Sequence, residues 1–252
     1  MASPRTQSHS KIMRKLANKI LDLIYPAACH LCECSLSNGR HLCTPCANKL
    51  HYIEPPFCTN CGECYDGNIE TDFICPNCHQ LEFDFDFARA AIHSEAGGRD
   101  LVHDFKYMRQ IHLASELARL METALEDSRF SPYQKDGFFV PVPLFWIRQR
   151  KRRFNQAEEI GKTLSARTDI PLHNALRRTR NTKTQTRFSR AKRLENLKSA
   201  FTLKSSYKKQ IQGQRIILLD DVFTTGSTAN ECAKVLKSAG AKNIAVLTVL
   251  RG

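Results

Sequence analysis

The sequence predicts an α/β protein with a parallel sheet, joined to an N-terminal metal-binding module. Two observations carry this prediction. After residue 80, short apolar segments alternate with segments of helical periodicity, as expected of parallel strands joined by helices. Before that point, ten of the eleven cysteines lie between Cys29 and Cys78. With 252 residues, the chain is long enough for one main domain and a small module.

We expect three regions, namely an N-terminal amphipathic helix within 1–26, a cysteine-rich module over 27–80 and an α/β domain over 81–252. The apolar side chains on one side of the first helix are Ile12, Leu16, Ile20, Leu23 and Ile24. Such a helix either packs on its own protein or docks on a membrane surface.

No apolar run approaches the length of a membrane span, and the first ten residues lack the apolar core of a signal peptide. We therefore expect a cytoplasmic protein.

Eight cysteines form four pairs with the spacing Cys-x2-Cys. They are Cys29, Cys32, Cys43, Cys46, Cys58, Cys61, Cys75 and Cys78. Each pair can present two thiolates to one ion, and two pairs complete a tetrahedral site. We expect two structural zinc ions, which would stabilise a segment that is otherwise too short to fold. Which pairs share an ion stays open, because adjacent ribbons can interleave.

Other chemistries fit this cysteine pattern less well. Disulfides would suit a secreted protein, and nothing in the sequence suggests secretion. The ten residues between Cys64 and Cys75 do not match an iron–sulfur run, and redox chemistry would need one pair on a βαβ unit. Three nearby histidines are alternative ligands: His30, His41 and His79.

The second half of the chain alternates strands and helices. Strands are predicted over 87–94, 138–144, 216–219 and 245–250, and helices over 97–107, 112–126, from Asn155 through Leu164 and over 229–239. Residues 179–193 lack regular periodicity and predict a mobile loop. In such a sheet, ligands bind at the carboxyl ends of the strands.

Residues 216–228 are the most informative segment. Four apolar residues indicate a buried strand, which leads into Asp220 and Asp221 and then into a Thr-Thr-Gly-Ser-Thr turn that opens a helix. Backbone N–H groups and the dipole at a helix N-terminus favour a phosphate, and Gly226 permits close backbone approach. The two carboxylates would repel a bare phosphate, so we expect them to face sugar hydroxyls, a metal ion or both. The alternative is a polar surface turn after a core strand.

Positive charge is concentrated between Leu144 and Leu194, where fifteen Lys or Arg accompany three acidic residues. The formal charge of this segment is +12 (15 − 3), against +13 for the whole chain. A segment of one sign indicates a polyanionic partner, either pyrophosphate, nucleic acid or both.

Residues 216–228 resemble the 5-phosphoribosyl pyrophosphate (PRPP) motif of type I phosphoribosyltransferases. The resemblance implies a type I phosphoribosyltransferase-like parallel sheet, with Asp220 and Asp221 as catalytic residues that hold the ribose hydroxyls. It also implies Mg²⁺ bound with PRPP. The implied PRPP-binding residues are Asp220, Asp221, Thr224, Thr225, Gly226, Ser227 and Thr228.

Residues 21–252 as a whole resemble the ComF family, phosphoribosyltransferase-like proteins with an N-terminal double zinc ribbon that are associated with natural competence for DNA uptake. The matching segments are Leu21-Asp-Leu-Ile-Tyr-Pro26, the four Cys-x2-Cys pairs, Phe105-Lys106-Tyr107, Val140-Pro-Val-Pro-Leu144, Arg153-Phe154-Asn155-Gln156, Arg180, Thr184-Gln185, Arg193 with Asn196, and the PRPP motif. One departure is Arg153, where the family pattern has glycine, and we expect it to affect the backbone of that turn.

The resemblance also implies a set of pyrophosphate-binding and closing-loop candidates. They are Lys106, Tyr107, Arg148, Arg152, Asn155, Gln156, Arg180 and Gln185. Two functions stay open. The first is a transferase that moves the phosphoribosyl group of PRPP to an acceptor. The second is a non-catalytic PRPP or nucleotide sensor that binds single-stranded DNA or a competence partner such as a helicase-type protein. Aromatic residues placed to stack on bases are Phe145, Trp146, Phe154 and Phe188.

Overall fold

The computed structural model describes residues 28–36, 39–65, 67, 73–79, 81–182 and 197–252. The chain divides into two compact units, one ending at Lys49 and the other beginning at Leu50. The helix predicted within residues 1–26 lies outside the described residues, and so does most of the loop predicted over 179–193.

The first unit is built around two Cys-x2-Cys turns. Ala28 and Ser35 form an antiparallel bridge, and Cys29 donates its backbone N–H to the carbonyl of Cys34. Helix α1 (Thr44–Ala47) begins after Cys43, whose side chain accepts a hydrogen bond from the Cys46 N–H. These local bonds bring the two turns together.

The second unit alternates strands and helices. Its helices are α2 (Pro76–His79), α3 (Ala96–Tyr107), α4 (Ala114–Leu125), α5 (Ser131–Asp136), α6 (Trp146–Arg152), α7 (Gln156–Thr168), α8 (Lys208–Ile211) and α9 (Ser227–Ser238). Its strands are β1 (Phe87–His93), β2 (Gly137–Pro141), β3 (Leu176–Arg178), β4 (Phe201–Leu203), β5 (Arg215–Phe223) and β6 (Asn243–Arg251). Short 3-10 turns cover Ile111–Leu113, Ser128–Phe130 and Ser205–Tyr207.

The main sheet has the strand order β1-β6-β5-β2, and all its pairs are parallel. In the registers, Leu218 pairs with both Val140 and Val246. Because the strands are parallel, the carboxyl ends of β5 and β6 lie at the same edge of the sheet. Strands β3 and β4 form a separate antiparallel pair.

Helices cover both faces of this sheet, as the α/β prediction requires. Ile216 and Leu218 belong to a buried cluster that includes Cys232 and Leu236 of α9. On the opposite face, α7 packs on β5 and β2, while α4 packs on β1, β6 and α7. Gly161 of α7 permits this approach, since an added Cβ there would lie 2.9 Å from Leu219 Cδ1.

The structure confirms the strands and helices that the sequence predicts in the second unit, with small shifts at their ends. Helix α9 begins at Ser227, within the predicted turn, and β5 continues past the acidic pair to Phe223. Helix α6 and the pair β3–β4 were not predicted. The basic sequence of α6 lacks apolar periodicity, and β3 and β4 have three residues each.

The second set of cysteines is part of the main core. Cys58, Cys61, Cys75 and Cys78 lie in the same buried cluster as β5, β6 and α9. This part of the cysteine-rich module therefore folds with the sheet. Within the described residues, no helix has the length and apolar character needed to span a bilayer.

Candidate functional site

The loop between β5 and α9 has the geometry of an anion-binding turn. Gly226 precedes α9 with φ +75°, and an added Cβ would lie 2.8 Å from Cζ of Phe223. Both the left-handed backbone and the close ring therefore favour glycine here. The first turn of a helix leaves backbone N–H groups without intrahelical acceptors, and these N–H groups point toward this loop.

Hydroxyl groups line the same turn. The Thr225 Oγ1 and Ser227 Oγ atoms lie 2.8 Å apart in a hydrogen bond, and Ser227 is buried. Thr224 is exposed and Thr228 is half-buried. The turn thus combines backbone and side-chain donors, as a bound phosphate group requires.

The two acidic residues of β5 face opposite sides of the sheet, because side chains alternate along a strand. Asp221 is buried, and its Oδ1 lies 2.8 Å from the Nζ of Lys106 at the end of α3. Asp220 accepts a hydrogen bond from the Asp221 N–H. Burial, together with repulsion from Asp221, raises the pKa of Asp220 to about 7.

A basic cavity lies beside this ion pair, with a volume of about 300 Å³. Its lining residues are Lys106, Tyr107, Arg109, Arg148, Lys151 and Arg152. The Arg152 guanidinium lies 5.0 Å from the Tyr107 ring centroid, and Arg109 donates to the carbonyl of Lys151. Five cationic side chains around one cavity make a site for a multiply charged anion.

Four of the predicted pyrophosphate-site residues thus line one cavity: Lys106, Tyr107, Arg148 and Arg152. The pKa of Arg148 is lowered by burial and by the neighbouring Arg152 charge. An arginine surrounded in this way gains from an anionic ligand, because the ligand would offset both effects.

Asn155 and Gln156 follow α6, the helix that carries Arg148 and Arg152. Asn155 is buried and donates its Nδ2 hydrogen to the carbonyl of Val142, which follows β2. Gln156 accepts a hydrogen bond from Arg152, and its buried Nε2 has no hydrogen-bond partner within the part of the chain that the structure describes. Both residues hold the loop after β2 and the end of α6 in place.

The turn at Arg153 keeps the conformation that glycine would adopt. Arg153 follows α6 with φ +70°, in the left-handed region. Arg153 thus adopts a left-handed backbone conformation that favours glycine, at an energetic cost to the folded chain.

Of the two closing-loop candidates, Arg180 lies within the described residues and Gln185 does not. Arg180 is exposed and donates to the carbonyl of Lys198. Gln185 lies outside the described residues, together with Phe188, Arg193 and Asn196. Both Arg180 and Gln185 stay predictions.

Arg178 is a further residue near the acidic pair, and its position was not predicted from the sequence. Its guanidinium lies 5.2 Å from the Phe201 ring centroid and donates to the hydroxyl of Thr182. Burial and the charge of Arg148 lower the pKa of Arg178, while the charge of Asp220 acts in the opposite direction. Arg178 therefore lies close enough to Arg148 and Asp220 for both charges to affect its pKa. The sequence signal that could have identified Arg178 is the pair Arg177-Arg178. Neighbouring side chains on a strand point to opposite faces, so one of these two arginines points inward.

Two of the aromatic residues expected to stack on bases belong to the core. Phe145 and Phe154 are buried, and Phe154 packs on Phe105 with ring centroids 5.2 Å apart. Trp146, in contrast, is 56% exposed.

The eight paired cysteines form two tetrads without interleaving. Cys29, Cys32, Cys43 and Cys46 make the first tetrad, and Cys58, Cys61, Cys75 and Cys78 make the second. Within each tetrad the sulfur atoms lie within 4.8 Å of one another.

The sulfur geometry fits a tetrahedral zinc site. The Sγ atoms of Cys32 and Cys43 are 3.6 Å apart, as are those of Cys61 and Cys75. Four sulfurs at about 2.3 Å from one ion are separated by about 3.8 Å, whereas a disulfide requires about 2.0 Å. Backbone N–H groups of Cys43 and Cys75 donate to Cys29 and Cys58. Both tetrads therefore have the donor set of a closed structural zinc site.

These features define a class of protein, the phosphoribosyltransferase-like proteins that carry zinc ribbons. Comparison with protein families supports this class directly. A family described as double zinc ribbon domain matches residues 20–79, and one described as phosphoribosyl transferase domain matches residues 111–252.

The relatives of the full chain specify the family. The chain is 34% identical to competence protein F of Haemophilus influenzae over 88% of this chain and 96% of that protein. It is 30% identical to the DNA utilization protein YhgH of Escherichia coli strain K12 over 91% of this chain and 99% of that protein. It is 36% identical to competence protein ComFC of Bacillus subtilis over 49% of each chain. The chain belongs to the competence protein F family.

Similarity to solved structures is weaker. The chain is similar to a glutamine PRPP amidotransferase from B. subtilis at 17% identity and a TM-score of 0.35, over 57% of this chain and 30% of that one. A similarity of this size adds nothing to the family assignment.

Proposed function

We propose that the carboxyl end of β5 binds PRPP. The observation that carries the proposal is the direct succession of an acidic pair and a glycine-dependent turn with hydroxyl and backbone donors. The turn over 224–228 binds the 5′-phosphate, and the ribose lies over the end of β5. There, Asp220 and Asp221 accept hydrogen bonds from the ribose hydroxyls from the two sides of the strand. This division places the negative carboxylates away from the phosphate.

The basic cavity binds the pyrophosphate group in this proposal. Lys106 lines the cavity and also pairs with Asp221, so it lies at the boundary between the ribose and pyrophosphate sites. Mg²⁺ bound to the substrate oxygens would add positive charge at the leaving group. Arg148 and Arg152 supply charge that is already in place before the substrate arrives.

A phosphoribosyl transfer at this site needs no protein nucleophile. As the bond from the anomeric carbon to pyrophosphate breaks, negative charge grows on the leaving group. Lys106 and the arginines of the cavity stabilise that charge, while the carboxylates hold the ribose in position.

An assay of turnover distinguishes a transferase function from a non-catalytic sensor function. The zinc-loaded chain is incubated with PRPP, Mg²⁺ and each of a panel of nucleobases, and released pyrophosphate is measured. The transferase proposal expects release that depends on one acceptor and disappears in Asp220→Asn/Asp221→Asn. An Asp100→Asn variant, altered at an exposed position on α3, is the matched control. PRPP binding without turnover would favour the sensor.

A specific surface supports the second candidate function, binding of single-stranded DNA. Of the seven large hydrophobic side chains exposed within the described residues, five lie on α6 or at 107–111. They are Tyr107, Met108, Ile111, Trp146 and Ile147. The basic residues among them are Arg109, Arg150, Lys151, Arg152 and Arg153. We call these ten residues the aromatic–basic surface.

This surface has the chemistry that non-specific binding of single strands requires. Aromatic faces stack on bases and cationic groups follow the phosphates. Trp146, whose ring centroid lies 5.6 Å from the Arg150 guanidinium, offers both in one place. The names of the relatives connect those proteins with competence and DNA utilization, which agrees with a role of this chain in DNA uptake.

Binding of a fluorescent oligonucleotide tests this candidate. We expect affinity that falls steeply with salt and weakens in Trp146→Ala/Arg150→Gln. Arg167→Gln, which removes a cation paired with Glu122 outside this surface, is the matched control. Salt-independent binding, or no loss in the double variant, would contradict the DNA role and leave a protein partner, such as the predicted helicase-type protein, for this surface.

We also propose that each tetrad holds one zinc ion, which the closed four-thiolate geometry of both tetrads supports. We propose further that the protein is cytoplasmic, and that the double zinc ribbon extends over 27–80 before the phosphoribosyltransferase-like domain of 81–252.

A further inference from the structure

Arg251, at the end of β6, contacts both the phosphate loop and the second tetrad. Its Nη1 donates to the carbonyls of Phe223 and Thr224, at 3.3 and 3.0 Å, and also to that of Gly252. Its Nη2 lies 3.9 Å from the Cys61 Sγ and donates to the Glu63 carboxylate. One guanidinium therefore joins a cysteine ligand to the two residues that lead into the phosphate loop.

The burial of Arg251 limits the hydrogen-bond partners that its guanidinium can reach. The residue is buried, and its Nε has no hydrogen-bond partner among the described residues. The guanidinium lies 5.3 Å from the ring centroid of Phe223. Because a buried cation is stable only when it is paired, the orientation of Arg251 depends on what Glu63 and the second tetrad present to it.

A second set of contacts joins the same two regions. Phe83 stacks on Phe85 with ring centroids 4.6 Å apart, and Phe85 meets the edge of Phe223 at 6.0 Å. The Asp84 N–H donates to Asn230 in the first turn of α9. The segment that follows the second tetrad thus packs against both sides of the phosphate loop.

We propose that Arg251 is a positioning residue through which the metal-bound second tetrad holds the phosphate loop in its binding conformation. The inference rests on the proposed binding of a ribose phosphate at that loop. Four thiolates with one Zn²⁺ carry a net charge of about −2, which Arg251 and the neighbouring N–H groups offset. Loss of the metal changes this charge and releases Cys61, so the arginine loses the contact that fixes it.

Linkage makes the effect reciprocal. If the metal-bound tetrad favours the loop conformation that binds phosphate, a bound phosphate must favour the metal-bound tetrad by the same free energy. Arg251 and the second tetrad belong to the second unit, whereas the first tetrad belongs to the other compact unit. It therefore serves as an internal control.

Three variants test the role of the side chain, with ribose 5-phosphate as the calorimetric probe. We expect Arg251→Gln to bind about tenfold more weakly, at the level typical of a coupling between two sites. Arg251→Lys should recover only part of this loss, because an ammonium lacks the planar fork that reaches several acceptors at once. Glu63→Gln should weaken binding less than Arg251→Gln, because Glu63 is half-exposed.

Arg129→Gln is the matched control for a merely structural role. Arg129 also ties the second tetrad region to the sheet, through a 2.7 Å hydrogen bond to the Thr59 carbonyl. Among the described residues, its hydrogen bonds and ion pairs are to Thr59 and Asp127 and not to the phosphate loop. We expect Arg129→Gln to lower thermal stability and leave ribose 5-phosphate affinity unchanged. Equal losses of affinity in Arg129→Gln and Arg251→Gln would overturn the proposal.

A measurement on the unaltered chain covers the case in which Arg251→Gln does not fold. The zinc-loaded protein is exposed to a chelator and an alkylating reagent, and labelling of each cysteine is followed by peptide mass spectrometry. Ribose 5-phosphate should slow labelling of Cys58, Cys61, Cys75 and Cys78 about fivefold and leave the first tetrad unchanged. No protection, or equal protection of both tetrads, would overturn the proposal.

The calorimetric results distinguish a failure of the ribose-phosphate site from a failure of the Arg251 link to the second tetrad. If the unaltered chain does not bind ribose 5-phosphate, the proposed function itself fails. If it binds but Arg251→Gln binds equally well, the phosphate site stands and only the link to the second tetrad is wrong.

Discussion

Lys106 and Asp221 form an ion pair across the edge of the sheet, with the lysine Nζ 2.8 Å from the aspartate Oδ1. Their side chains are only 16% and 13% exposed, so water screens the pair weakly. Lys106 ends α3 and Asp221 lies near the end of β5. The pair therefore fixes the helix against the strand at the place where we propose that ribose and pyrophosphate meet.

A double-mutant cycle tests how strongly the two charges depend on each other. Lys106→Met leaves the Asp221 carboxylate buried and unpaired, so we expect it to destabilise the chain by about 3 kcal/mol. Lys106→Met/Asp221→Asn should be less destabilised than this, because no unpaired charge remains. Urea unfolding of the four proteins gives the coupling, and additive effects of the two changes would show that the pair is not coupled.

The raised pKa of Asp220 makes stability depend on pH. Burial raises this pKa from 3.8 to about 7, so between these values the folded chain binds more protons than the unfolded chain. The free energy of unfolding must then fall as pH rises, and it levels off above the folded pKa. For this group alone we expect a loss of about 1 kcal/mol between about pH 6 and pH 8.

Asp220→Asn is the control for this pH effect. The amide does not titrate, so the variant should lose the part of the pH dependence of the unfolding free energy that Asp220 contributes. The part that comes from the two cysteine tetrads should be the same in both proteins. Urea unfolding of zinc-loaded samples at the two pH values measures the difference. The same pH dependence in both proteins would mean that Asp220 is ionised throughout.

Arg153→Gly is expected to stabilise the chain by about 1 kcal/mol, because glycine adopts the left-handed conformation of this turn without steric cost. Gln149→Gly, an exposed change within α6, should destabilise by about 1 kcal/mol. The opposite signs of the two glycine substitutions separate the effect of this turn from a general effect of glycine. A destabilised Arg153→Gly would show that its side chain contributes more than its backbone costs.

The two tetrads should differ in what their loss does to the fold. Cys61→Ser disrupts a buried tetrad within the core of the sheet, so we expect it to destabilise the second unit by about 3 kcal/mol or more. Cys32→Ser should leave the melting of that unit unchanged. Elemental analysis should show about one zinc lost in each variant, and equal thermal destabilisation of the second unit would contradict the difference.

Features with a local sequence signal were predictable. The Cys-x2-Cys pairs, the helices at 97–107 and 112–126, and the succession of strand, acidic pair and turn at 216–228 each rest on residues close together in the chain. Gly226 could be placed at the turn because only glycine combines a left-handed backbone with close approach of other groups.

Relationships between distant residues were not predictable. Nothing local connects Lys106 with Asp221, or Arg251 with Cys61, because these contacts depend on how α3, β5 and β6 meet in the sheet. The position of Arg178 was not predictable either. Its strand has only three residues, which is too few to show whether Arg177 or Arg178 points inward. The merging of the second tetrad with the main core likewise follows from tertiary packing.

Calorimetric titration of PRPP with Mg²⁺ into the zinc-loaded chain measures whether the end of β5 binds a phosphorylated pentose. We predict saturable binding at about one site per chain that Asp220→Asn/Asp221→Asn weakens at least about tenfold, since each carboxylate supplies charge-assisted hydrogen bonds. Asp100→Asn should bind as the unaltered chain does. A folded, zinc-loaded chain that shows no saturable heat with PRPP would contradict a ribose-phosphate site at the end of β5.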